Sequence, residues 1–271
     1  LIFKNIKSKR TNKKLAGTTL HHIFKTLKNM LTYAVVLEVI DKNPMENLKA
    51  PKKTSKEFAI PKLHEVNKIL DHMEENADYW VHTGTAIAAQ TGMRLGEVVG
   101  LQWSDIDMEK NTISIQRSIV NTDSGSYVAP TKNPKSRRTI NIPNSLVITL
   151  KEYKEYLIGT LDTYFDIKLK EDDYLFPYIN GRGSVDMKKT FLPSSLSHAW
   201  KRSIKQIGYD FKFHSLRHSV AVSLMDENIN LKKIQLQLGH SSIDITADIY
   251  GRYVKPEDDH EIANALEKKY S

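Results

Sequence analysis

Apolar residues recur every three or four positions over long stretches of this chain and alternate over only a few short ones. Leu20, Ile23, Phe24, Leu27, Leu31, Ala34 and Val35 keep helical spacing and predict a long amphipathic helix over 18–40. Thr18 or Thr19 suits its N-cap, and Asp41-Lys42-Asn43-Pro44 its stop, because the residue before a proline avoids the α region. Residues 1–14 are mostly polar and read as an arm, and the basic, proline-containing stretch Ala50–Lys56 reads as a linker. A second region begins near Pro61, with helices expected at 62–76, 79–91 and 95–101. Three β segments follow at 112–120, 126–131 and 138–142, with turns at Asp123-Ser124-Gly125 and Asn133-Pro134. Helices return at 144–158 and 188–206, then as a string of short helices over 215–250. One of these, 231–238, is closed by Gly239. The expected fold is mainly α with a small antiparallel β-sheet (α+β), divided as 1–50, a linker 51–60, a main domain 61–256 and a tail helix 257–271.

Charge sharpens this division. Residues 1–57 hold 13 Lys/Arg against 4 Asp/Glu, whereas the remaining 214 residues are nearly balanced, so the net charge of +8 arises in the first fifth of the chain. Such a segment usually faces a polyanion, with nucleic acid the foremost candidate. The absence of cysteine excludes disulfides, thiolate zinc sites and cysteine nucleophiles. Neither H-E-x-x-H nor D-x-D-x-D occurs, so no metal or other cofactor is expected. No apolar run approaches the ~18 residues of a membrane span, and no signal peptide is visible; a soluble, cytoplasmic, nucleoid-associated protein is expected.

Three patches carry candidate chemistry. In Thr91-Gly92-Met93-Arg94-Leu95-Gly96-Glu97, Arg94 and Glu97 are helical neighbours, which alone reads as a surface ion pair. In His214-Ser215-Leu216-Arg217-His218, His214 and Arg217 share a helix face and can offer an imidazole and a guanidinium to one phosphate. Leu238-Gly239-His240-Ser241-Ser242 is followed ten residues after His240 by Tyr250. Each patch alone is compatible with an ordinary structural role.

In their order and spacing, these motifs resemble the tyrosine recombinase (phage or transposon integrase) family over roughly residues 60–254. The resemblance implies that Arg94 is the first catalytic arginine, with Glu97 supporting it. It also implies that Lys132, in Pro130-Thr131-Lys132, is a hairpin lysine, that His214 and Arg217 form the H-x-x-R pair, that His240 is the L-G-H histidine and that Tyr250 is the nucleophile. Tyr253 lies close by, but Thr246 gives Tyr250 the better T-x-x-x-Y context. Arg252 stands where the family often has His. Residues 15–50 then resemble the end of the family's helical core-binding domain.

The chemistry expected from the resemblance is metal-free transesterification. Arg94 and Arg217 would meet the charge on a pentavalent phosphate, His214 and His240 would add donors or a base, and Lys132 would protonate the departing 5′-oxygen. Tyr250 would hold the 3′-phosphate covalently. Double-stranded DNA carrying specific attachment sites is the expected partner, bound as a homo-tetramer by a protein that is otherwise a monomer or weak oligomer. An accessory DNA-bending or excision factor fits this scheme. Lys9, Arg10, Lys13, Lys14, Lys52, Lys53, Lys135 and Arg137 are candidates for phosphate contacts. Ile262, Ala263, Leu266 and Tyr270 fall near one face of the tail, which is expected to dock on a neighbouring protomer. Three other readings compete: a repressor-like helix-turn-helix in 215–250, a metal-dependent nuclease and a type IB topoisomerase. The repressor reading leaves Arg94, Lys132 and His240 unexplained, and the nuclease reading lacks clustered carboxylates.

Overall fold

The computed structural model describes residues 6–9, 11–54, 59–122, 125–130, 137–179, 183–243, 246, 247, 249, 251 and 267. The chain falls into two units, Leu1–Phe58 and Ala59–Ser271.

The first unit is built on α1 (Gly17–Val36), which buries Phe24. The helix starts at Gly17 with Ala16 as its N-cap, so neither predicted threonine caps it. Thr18 instead donates its hydroxyl to the Thr54 carbonyl at 2.6 Å. The helix also ends earlier than its periodicity suggests. Glu38 takes φ 57°, and the N–H groups of Leu37, Glu38 and Val39 turn back to the carbonyls of Tyr33, Val35 and Ala34. Asn43 does not stop the helix; it folds the following chain back, its amide donating to Lys28 O at 3.0 Å and Thr32 Oγ1 at 2.8 Å.

The second unit places helices around short antiparallel strands. Helices α2 (Leu63–Asn76) and α3 (Tyr79–Thr91) match the apolar spacing closely, burying Val66, Ile69 and Met73 on one and Val81, Ala86, Ile87 and Ala88 on the other. A short α4 (Leu95–Val99) and a 3-10 turn at Trp103–Asp105 lead into the strands. These are β1 (Ile106–Asp107), β2 (Thr112–Ile115), β3 (Arg117–Thr122), β4 (Gly125–Pro130) and β5 (Arg138–Asn141). The expected strand 112–120 is in fact two strands. The chain breaks at Gln116 and passes from a β1-β2-β5 sheet to a separate β3-β4 hairpin. Gly125 takes φ 125° beyond Asp123 and Ser124, which lie outside the described residues, as does the Asn133-Pro134 turn.

Helix α5 (Asn144–Phe165) runs seven residues past its expected end and buries Leu146, Val147, Leu150, Tyr153, Leu157 and Leu161. The helix expected over 188–206 is a strand followed by a helix. A hairpin of β6 (Pro177–Ile179) and β7 (Val185–Thr190) precedes α6 (Pro193–Gln206), which begins on a proline at its first turn. Helices α7 (Ser215–Asp226) and α8 (Leu231–Leu238) close the described fold. Leu238, Val222, Met225, Ile234 and Ile249 make a small second core beside the main one. Among the described residues, the single small sheet expected is thus three, all antiparallel. Among the described residues, no helix is long and apolar enough to cross a membrane.

Candidate active site

Two helix ends create the site. Helix α3 stops at Gly92 with φ 69°, and α8 stops at Gly239 with φ 67°. Both glycines take a left-handed conformation that side chains disfavour, and both are closely approached. A Cβ on Gly92 would sit 2.4 Å from Leu238 Cδ2, and one on Gly239 would sit 2.6 Å from Arg138 Nη1. The carbonyls around these ends, left without helical partners, face inward and are met by arginines.

Arg217, on the first turn of α7, is 2% exposed. It donates Nη1 to Gly92 O at 2.7 Å, Nη2 to Leu238 O at 2.6 Å and Nε to His240 Nε2 at 3.3 Å. Burial, and then the nearby Arg94 charge, push its pKa down to about 9, so it remains a cation at neutral pH. Arg94 precedes α4 and donates Nη2 to Gly239 O at 2.8 Å and Nη1 to Glu97 Oε1 at 2.8 Å. The other Glu97 oxygen accepts the Arg94 backbone N–H at 3.0 Å, which starts α4. Each guanidinium carries five N–H groups, so both arginines keep donors beyond those these bonds use.

Glu97 is 3% exposed and also receives Arg138, whose Nη2 lies 3.0 Å from Oε2. Burial alone would raise the Glu97 pKa, but the Arg138 charge and hydrogen bond, with Arg94 behind them, outweigh it and hold the carboxyl below its usual range. Three guanidinium groups against this one carboxylate leave the cluster with an excess of positive charge.

His240 follows Gly239, and its ring is fixed at both nitrogens. Arginine can only donate, so Nε2 presents a lone pair to Arg217. Nδ1 then carries the proton and donates to Thr246 Oγ1 at 2.8 Å. Burial and the charges of Arg217 and Arg94 lower its pKa to about 3. His214, at the N-cap of α7, packs edge-on against His218 with ring centroids 4.9 Å apart. Its ring is partly open to solvent, yet desolvation on the inner side, followed by His218, Arg217 and Arg94, lowers its pKa to about 4. Both imidazoles are therefore neutral at ordinary pH.

These histidines make folding acid-sensitive. Unfolded histidine titrates near 6.5, whereas folded His240 does so at about 3. Between those values the unfolded chain binds a proton that the folded chain refuses. The contribution of His240 to stability is therefore full above about pH 6.5 and is lost as pH drops toward its folded pKa. Urea unfolding from pH 7 to 4 is expected to show this slope, and His240→Gln to flatten it. An equal slope in the variant would refute the assignment.

The structure joins Arg94, Glu97, Arg217 and His240 by direct bonds and sets His214 on the first turn beside them. Lys132 and Tyr250 lie outside the described residues, as do Arg10 and Lys135. Arg137 is exposed in a groove of about 640 Å³ between β5 and α8, with Lys232 and Lys233 on its wall and His240 at its edge. Lys9, Lys13, Lys14, Lys52 and Lys53 are exposed in the first unit. Sequence reasoning missed Arg138. The signal was the alternation of β5, where Ile140 is buried between exposed Thr139 and Asn141, so Arg138 shares its inward face.

Residues 62–256 match the model of the phage integrase family. The chain belongs to that family, the tyrosine recombinases. It is 30% identical to a XerC-like tyrosine recombinase of Caldanaerobacter subterraneus, over 92% of this chain and 67% of the relative. It is 26% identical to the ICEBs1 integrase of Bacillus subtilis, over 93% of this chain and 66% of that protein. The chain thus spans about two thirds of the length of these curated relatives. The Tn1549 transposon integrase, solved with a circular intermediate DNA, superposes with a TM-score of 0.73 at 18% identity, covering 95% of this chain and 80% of that one. A lambda integrase dimer bound to a COC' core site gives 0.56 at 21% identity, covering 88% and 61%. These likenesses confirm the mixed, mainly helical fold with small antiparallel sheets.

Proposed function

We propose that this tyrosine recombinase is the DNA-cutting part of a mobile-element integrase, breaking and rejoining strands at specific sites through a 3′-phosphotyrosine. The reading rests chiefly on the convergence of Arg94, Arg217 and neutral His240 on two helix ends, with cationic charge in excess and donors to spare. Such fixed donors suit the oxygens of a pentavalent phosphate, whose charge grows in the transition state. Arg94 and Arg217 take that charge, and His214 adds a donor from the first turn of α7.

Tyr250 is the proposed nucleophile. Thr246 is bonded to His240, and Ile249 is buried against the second core. Tyr250 itself lies outside the described residues. The cationic Arg94 and Arg217 favour the phenolate; His240 Nε2, whose lone pair is held by Arg217 Nε–H, has to leave that bond before it can take the phenolic proton. Lys132 is the proposed acid for the leaving 5′-oxygen. The phosphodiester energy is kept in the tyrosyl bond, so a 5′-hydroxyl from another duplex reverses the step.

The first unit is the end of a helical core-binding domain, followed by a basic linker over 51–60. Residues 61–256 are the catalytic domain, and 257–271 is a tail that docks on a neighbouring protomer. Lys9, Arg10, Lys13, Lys14, Lys52, Lys53, Lys135 and Arg137 contact phosphates, and the assembly on DNA is a tetramer aided by an accessory bending factor. The reaction takes place at the bacterial nucleoid. A labelled duplex spanning the end of the encoding element tests the reaction. Cleavage is expected to proceed at an unchanged rate when EDTA is added, whereas rescue by magnesium alone would favour a nuclease.

A further inference from the structure

Arg138 occupies a position that neither base recognition nor phosphate contact explains. It opens β5, immediately after the 131–137 connection that carries Lys132, and its side chain is 8% exposed. Its Nη2 donates to Glu97 Oε2 at 3.0 Å, and its Nε donates to Gln237 O at 2.9 Å. Glu97 in turn holds Arg94, and Arg94 returns to Gly239 O, two residues beyond Gln237. The bonds therefore close a ring through β5, α4 and the end of α8. Glu97 has two oxygens and shares them between two guanidinium groups. Without Arg138, the carboxylate would be free to rotate toward Arg94 alone, and the turn at Gly239 would lose the cation packed against it.

We propose that Arg138 is a positioning residue. It orients Glu97, and through it Arg94, while fastening the base of the lysine-bearing connection to the Gly239-His240 turn. This rests on the strand-breaking role proposed above and extends it. The guanidinium plane is essential, because only a fork can hold a carboxylate and a carbonyl at once in fixed directions. Misplacing Arg94 by a fraction of an ångström weakens its hold on the transition state far more than on bound DNA.

The test uses the full chain and the labelled element-end duplex, with Arg138→Met, Arg138→Lys, Glu97→Gln and the Arg138→Met/Glu97→Gln double variant. Arg138→Met is expected to slow single-turnover cleavage by about ten- to a hundredfold while leaving DNA affinity essentially unchanged. Arg138→Lys should recover only part of the rate and also serves if the Met variant folds poorly. The double variant should be no slower than the slower single one, because both act on one chain of contacts. A parental rate in Arg138→Met, or losses that multiply in the double variant, would overturn the proposal. A second readout needs no DNA: carboxyl NMR of Glu97 should show its titration moving to higher pH in Arg138→Met. An unmoved titration also overturns the inference. Absence of cleavage by the parent would count against the proposed function and leave the titration to decide this point.

Discussion

Tyr250→Phe is expected to abolish strand cleavage and rejoining, with a loss of about 10⁴-fold or more, as when a covalent nucleophile is removed from an otherwise intact site. The substitution deletes one oxygen and keeps the ring, so the packing carried by neighbouring Ile249 should persist. DNA affinity should hold within about twofold, since affinity is dominated by many phosphate contacts. The unaltered Arg94, Arg217 and His240 cannot compensate, because two are donors only and the third has no covalent route back to a 5′-hydroxyl. Tyr253→Phe, three residues on, should keep most of the parental rate. Cleavage surviving in Tyr250→Phe but lost in Tyr253→Phe would move the nucleophile without changing the family.

Arg217→Met should cost both activity and stability. The guanidinium binds the Gly92 and Leu238 carbonyls and the His240 ring together, and it is almost wholly enclosed. With its remaining N–H groups proposed to face phosphate charge in the transition state, its loss should lower the cleavage rate by ~10²–10³. The fold should suffer as well, because the Gly92 and Leu238 carbonyls and His240 Nε2 lose their buried donor and a methionine returns only apolar burial. Arg217→Lys should be nearly as slow as Arg217→Met, because an ammonium cannot span three partners in one plane. Single-turnover rates and urea midpoints on the same preparations measure both quantities. A rate within tenfold of the parent would place Arg217 outside the reacting centre.

The sequence was most legible where one force acts alone. Helices α2 and α3 bury regular apolar stripes, and their limits fall within a residue of those expected. The end of α1 was misread because the stop lies in the backbone of Glu38, a residue type that rarely takes a positive φ, and not in the conspicuous Asn43-Pro44. The helix expected over 188–206 starts too early at 188–190, which end the strand Val185–Thr190 because Pro177–Ile179, not adjacent in sequence, pairs with it. The continuous β-like run through Ile113, Ile115 and Ile119 concealed a change of sheet at Gln116.

The arginine–histidine cluster followed the same rule. Arg94 and Glu97 were legible as neighbours on one turn, and His214 with Arg217 on another. That these turns meet depends on Gly92 and Gly239 ending their helices with inward carbonyls, a tertiary fact. Arg138 went unrecognised because it lies among Lys135 and Arg137, where a basic run suggests solvent or DNA; only strand register separates the inward arginine from the exposed one. The roles of Lys132 and Tyr250 came from family resemblance, since a lysine or tyrosine at those positions has no chemistry legible from spacing alone.

Strand exchange by the proposed route passes through a covalent bond between DNA and one tyrosine of this chain. The most direct measurement mixes the full chain with the labelled element-end duplex in EDTA, isolates the SDS-resistant adduct, trims the DNA with nuclease and identifies the modified peptide by mass spectrometry. A nucleotide joined through a 3′-phosphate to Tyr250 is expected. Linkage at any other residue, or cleavage that leaves free ends and no adduct, would contradict it.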